Sequence, residues 1–247
     1  MKSVAVPYTA SMGVGVNSVP QDTSRLGSLI PPAILVLLVL GGCVITAFVL
    51  EGNARQQFLA ESGPVETGSA LSYVAITVLL CGFSFWRVDR RFTLQTAAIS
   101  ALLLARELDC HNRFTTEGVF RSSFYFRNNA SISEKIIVSI IMIGIIVLLV
   151  DYARKYTGRY IRGALSLTPW ILCVGAGFVM IVLGKAMDSS TWAFEAVGVE
   201  QQLSISLINI LEESLEFAGA VALLCASVLF IRSALRERSP RAKPLNS

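Results

Sequence analysis

Two runs of ionisable residues break into sequence that is otherwise apolar: Glu212, Glu213 and Glu216 within the last hydrophobic stretch, and Arg106, Glu107, Asp109 and His111 at the end of a shorter one. Carboxylates gathered with one imidazole can ligate a cation, share protons, or act as a general acid and base. Such groups are costly in a bilayer, so they face protein or a wet cavity and are a functional-site hypothesis by default. Asn209, Glu212, Glu213 and Glu216 fall at i, i+3, i+4 and i+7, the spacing of one helix stripe. Glu107 and His111 are i and i+4, while Arg106 and Asp109 are i and i+3 on a neighbouring face, provided the helix runs on through them. Glu66, Ser69 and Tyr73 form a third stripe entering another apolar segment.

Length arithmetic places these groups in depth. From Arg232 back to Glu216 is 16 steps, ~24 Å of helix, short of the ~30 Å hydrocarbon core, so Glu216 is submerged. From Arg91 to Arg106 is 15 steps, ~23 Å, so Arg106 and Glu107 also begin before a straight helix has left the core. Lipid cannot solvate either group, and Arg106 is the nearest deep cation to Glu216. The two runs are therefore expected to face each other. The candidate cation or proton site is Glu107, His111, Glu212, Glu213 and Glu216, supported by Arg106, Asp109, Glu66, Tyr73 and Asn209. Its metal-ligating subset is Glu107, His111, Glu212 and Glu216, with a divalent metal as the candidate cofactor.

The elements that must position them are membrane helices. The chain has 247 residues, 53% of them hydrophobic and only 15% charged, with a mean hydropathy of +0.62, too apolar for a soluble domain of this length. The apolar runs are continuous rather than alternating, which excludes a β-barrel. The expected fold is all-α: a polytopic integral membrane protein of about six transmembrane helices in one bundle. The spans read as 30–50, 66–86, 92–108, 136–152, 170–187 and 205–231. Residues 1–29 read as a disordered cytoplasmic tail, 30–232 as the transmembrane domain, and 233–247 as a basic cytoplasmic tail. Trp170 and Trp192 read as interface-belt residues, and Gly175, Gly177 and Gly184 as a surface for close helix packing.

Basic residues set the orientation. With both termini in the cytoplasm, 14 of the 21 Lys and Arg fall inside, as the positive-inside rule favours, and the acidic clusters face outward. A plasma or inner membrane is the expected location. The basic residues flank the spans instead of alternating with aromatics in a soluble domain, so nucleic acid is not an indicated partner. The five cysteines include no CxxC pair and no zinc-type spacing. The loop from Asn112 to Ile136 mixes aromatics with Arg121 and Arg127, as membrane-surface segments do.

Three function classes fit. The first is a cation-binding membrane protein with an outward-facing carboxylate and histidine site, taking a divalent metal or protons, in one form as a carrier. The second is a metal-dependent or acid/base enzyme acting on a lipid at the outer leaflet. The single histidine weighs against a multi-histidine zinc hydrolase, and a spacing of four between Glu107 and His111 does not match the Glu-x-x-His of di-iron bundles. The third is a non-catalytic accessory subunit docked on a membrane-protein partner. The expected partners are the bilayer itself, a cation or lipid ligand, and in the third case another membrane protein.

Overall fold

The computed structural model describes residues 27–59, 63–86, 89–110, 131–197 and 201–238. These residues form helices and no strands. Seven helices follow in order: α1 Ile30–Val49, α2 Gly52–Leu59, α3 Pro64–Ser84, α4 Arg90–Glu107, α5 Ile132–Leu165, α6 Pro169–Val197 and α7 Gln201–Arg238. The protein is an all-α polytopic membrane bundle. Five helices, α1, α3, α5, α6 and α7, are long and apolar enough to cross a membrane. α4 is the remaining long helix, 18 residues or ~27 Å, and its charges sit at its two ends, Arg90 and Arg91 against Arg106 and Glu107.

Helix starts follow local chemistry. Proline occupies the first turn of α1 and begins α3, where a missing N–H costs nothing. At α5, Ser131 accepts a hydrogen bond from the Glu134 backbone N–H at 3.2 Å, in the S-x-x-E pattern of a capping box. Asp89, before α4, and Leu167, between α5 and α6, adopt positive φ of 46° and 51°, which turns the chain sharply without a glycine. Arg55 of α2 donates from Nε to Leu50 O at 2.9 Å, satisfying a carbonyl at the end of α1. α2 itself is too short and polar to be legible as a span.

α7 is the central helix. It lies against α6, α3 and α1, and α4 lies mainly on α3. Small residues make this possible: Ala218, Ala220, Ala222 and Ala226 are almost fully buried, and such residues let membrane helices approach closely where no hydrophobic force draws them together. Gly177 and Gly219 mark the tightest contact. A Cβ at Gly177 would stand 2.9 Å from Gly219 O, and one at Gly219 would stand 3.0 Å from Gly177 O. Gly175, expected to share that role, faces open space. α5 is peripheral: only Val138 and Gly163 are buried along it, and its apolar half exposes Ile136, Ile140, Ile143 and Val147 in the manner of a lipid-facing helix.

Several sequence boundaries move outward. The fourth, fifth and sixth spans extend to 34, 29 and 38 helical residues, and α7 continues to Arg238, into the segment expected to be a tail. At 1.5 Å per residue, α5 and α7 reach ~51 and ~57 Å, so both project beyond a ~30 Å core. The apolar run alone marks the hydrocarbon-crossing part, whereas helical hydrogen bonding carries on through charged turns. Residues 1–26 and 239–247, which hold the rest of the two tails, and most of the loop with Arg121 and Arg127, lie outside the described residues.

Candidate functional site

Four helices bring charge to one end of the bundle. α3 supplies Glu66 from its first turn. α4 supplies Arg106 and Glu107 from its last turn. α7 supplies Glu212, Glu213 and Glu216, and α6 supplies Lys185. Arg106 Nη2 donates to Glu216 Oε1 at 2.8 Å. Lys185 Nζ stands 3.2 Å from the same oxygen and donates to Glu212 Oε1 at 2.8 Å. One carboxylate oxygen of Glu216 thus bridges two cations, and Lys185 bridges two carboxylates one helical turn apart on α7.

The local sequence explains this placement. Gly184 precedes Lys185, and a Cβ there would lie 3.1 Å from Glu216 Cγ and 3.3 Å from Glu212 O. The absent side chain lets the Glu216 stem lie along α6, where Lys185 reaches it. Glu216 is buried, 7% exposed, whereas the Arg106 and Lys185 side chains keep 34% and 43% of their surface. A buried carboxylate with two partly exposed cations fits the rule that submerged charge is paired.

Around this network stand groups without such partners. Glu107 lies within Coulombic range of Glu216, Arg106, Glu66 and Lys185. Glu213 lies within range of Glu216, Glu212, Glu107 and Glu66. Both are only partly exposed, and neither makes a hydrogen bond or ion pair with any described residue. Tyr73, almost wholly buried, lies within range of Glu107, Arg106 and Glu216. Among the described residues, Glu107, Glu212, Glu213 and Glu216 therefore gather about Arg106 and Lys185, with Glu66 within Coulombic range.

The remaining sequence candidates divide. Asn209 is exposed and stands apart from the buried part of the α7 stripe. α4 ends at Glu107, and Asp109 takes a positive φ of 48° while its N–H donates to Arg106 O at 3.0 Å. The helix does not run on, so the i and i+4 relation of Glu107 to His111, and the i and i+3 relation of Arg106 to Asp109, do not hold as helical spacings. His111 lies outside the described residues. Among the described residues no group of three His, Cys, Asp or Glu is arranged to hold a metal ion, and Glu212 and Glu216, two of the expected ligands, are turned onto Lys185 and Arg106.

Sequence reasoning missed Lys185. It stood near the end of an apolar run, where a lysine reads as a boundary residue snorkelling to the interface. The rule that singled out Arg106 and Glu216, an ionisable group within a span, applied to it equally.

The opposite end of the bundle is built differently. Arg159 pairs with Asp89, and Asp151 accepts from Lys155, from Arg91 at 3.2 Å and from Gln95 at 2.7 Å. Tyr152, Tyr156 and Tyr160, spaced by four along α5, gather with Phe92, Trp170 and Phe230 into an aromatic cluster. The Arg159 guanidinium lies 4.4 Å from the Phe92 ring centroid, a cation–π contact. Trp170 is buried in this cluster. The chain matches no protein-family model, no curated protein and no solved structure.

Proposed function

We propose that this is a cation-binding membrane protein in which Glu107 and Glu213 take up a small cation, foremost a proton, beside the fixed Arg106–Glu216–Lys185–Glu212 network. The observation that carries this reading is that Glu107 and Glu213, within Coulombic range of Glu216, make no hydrogen bond or ion pair among the described residues. Like charges held at close quarters in a poorly solvated site repel one another, and a bound proton or metal ion relieves that repulsion. Glu212 and Glu216 hold the geometry, while the exchangeable cation belongs to Glu107 and Glu213. The distribution of basic residues supports an outward-facing site in a cell membrane with both termini cytoplasmic.

A structural role for the network, as in an accessory subunit, is favoured by one observation: Glu216 Oε1 is held by two cations at once. Stability in the presence of cations separates the two. A ligand that binds only the folded chain at about 100 times its Kd stabilises it by about 2.7 kcal/mol. Thermal unfolding in detergent, followed across pH and with added calcium, manganese, zinc or sodium, is expected to show stabilisation by protons most strongly, and loss of that response in Glu107→Gln/Glu213→Gln. An unchanged response in the double variant overturns the proposal.

A further inference from the structure

Remote from the carboxylates, an apolar cavity of about 320 Å³ opens between α3, α4, α5, α6 and α7. That volume falls within the ~300–1,000 Å³ range of small-molecule sites. We propose that it holds one acyl chain of an anionic glycerophospholipid whose head group lies at the basic end of the bundle.

Shape, access and charge support this occupant. On α4 the cavity wall runs from Phe92 to Leu103, 11 residue steps or ~16 Å, which is about half of a ~30 Å hydrocarbon core and so the depth of one leaflet. The α6 wall runs from Trp170 to Phe178, but α5 contributes only Tyr152 and Tyr160 at one end. Beyond Tyr152, the side between α4 and α6 is not closed by α5, whose apolar half faces outward among the described residues. Phe178, at the far end of the wall, is 65% exposed. The opening is therefore lateral, toward the acyl chains of a bilayer rather than toward water.

The closed end carries the charge. Arg159 lies over Phe92 and Trp170, both cavity-lining rings, at 4.4 and 5.3 Å from their centroids. Among the described side chains at this end, eight are Lys or Arg, between Arg90 and Arg236, against two carboxylates, Asp89 and Asp151. Even with both carboxylates paired, cations remain in excess, and a phosphodiester with an anionic head group complements them. A zwitterionic lipid fills the same cavity without that attraction.

Trp170 reports occupancy directly, because it is buried and lines the cavity. A Trp86→Phe/Trp192→Phe variant leaves it as the single tryptophan. The variant is placed in phosphatidylcholine vesicles containing brominated-chain phosphatidylglycerol or, separately, brominated-chain phosphatidylcholine. One interfacial basic residue is worth about a fivefold preference for an anionic lipid, so half-maximal quenching is expected at about fivefold less phosphatidylglycerol. Filling the cavity by Ala226→Leu or Val174→Phe is expected to remove the saturable quenching with helical circular dichroism unchanged. Equal quenching curves for the two lipids overturn the head-group assignment, and saturable quenching that persists in either folded, filled variant overturns the cavity as its site. The head-group comparison needs no filled variant and stands if both fail to fold.

Discussion

Removing the charge of Glu216 while keeping its shape tests whether the ion network is one coupled unit. A broken, fully buried pair costs about 3–5 kcal/mol because a charge is stranded, whereas an exposed pair is worth about 0–1 kcal/mol. Here Glu216 is buried, but Arg106 and Lys185 retain 34% and 43% of their side-chain surface, and Lys185 keeps its 2.8 Å contact with Glu212. Water can therefore recover part of what the two cations lose, and Glu216→Gln is expected to cost about 2 kcal/mol. Arg106→Gln leaves Glu216 held by Lys185 and costs about 1 kcal/mol. The two changes share the 2.8 Å Arg106–Glu216 contact, so the double variant should cost about 2 kcal/mol rather than about 3, a coupling of about 1 kcal/mol. Thermal unfolding in detergent reads this as a drop of about 4–8 °C for Glu216→Gln, at about 2–4 °C per kcal/mol for a chain of this size. Costs that add to within about 0.3–0.5 kcal/mol would refute the coupling.

Gly177→Ala should lower thermal stability by about 1–3 kcal/mol, because its Cβ meets backbone at Gly219; Gly175→Ala, facing open space, should be neutral or stabilising by up to about 1 kcal/mol, and equal melting temperatures for the pair would contradict the close α6–α7 approach. Tyr152 and Tyr160 share a 2.6 Å hydrogen bond, and Tyr152 meets Thr96 at 3.1 Å. Tyr152→Phe should thus cost about 1–2 kcal/mol in denaturant unfolding, and no change would show that the hydroxyls do not hold α5 to α4. Labelling of Ser123→Cys from outside and Ser239→Cys only after permeabilisation is expected from the distribution of basic residues; the reverse pattern would move the carboxylate site to the cytoplasmic face.

What could be read from sequence was what depends on chain-local physics. Apolar runs of sufficient length show the bundle and most of its spans, because a bilayer accepts only internally satisfied backbone. Depth arithmetic was enough to set Arg106 against Glu216, since both had to be submerged and neither could face lipid. The spacing rule failed where helix geometry ended: nothing in RELDCH announces that Asp109 turns left-handed, so Glu107 and His111 were expected on one stripe. Lys185 was hidden by its place near the end of an apolar run, and its partners on α7 follow from the Gly184 contact, which is tertiary. The aromatic cluster went unread although Tyr152, Tyr156 and Tyr160 recur every four residues, because its partners Phe92, Trp170 and Phe230 come from three other helices.

Infrared difference spectroscopy tests most directly whether Glu107 and Glu213 hold the exchangeable cation. A carboxyl carrying a proton has a C=O stretch distinct from the bands of an ionised carboxylate, and a carboxyl set among other carboxylates in a poorly solvated site retains a proton where an isolated group is ionised. At neutral pH the wild-type protein is predicted to show a protonated-carboxyl band that disappears in Glu107→Gln/Glu213→Gln and survives in Glu66→Gln. A spectrum without that band, or a band that persists in the double variant, would contradict the proposed proton site.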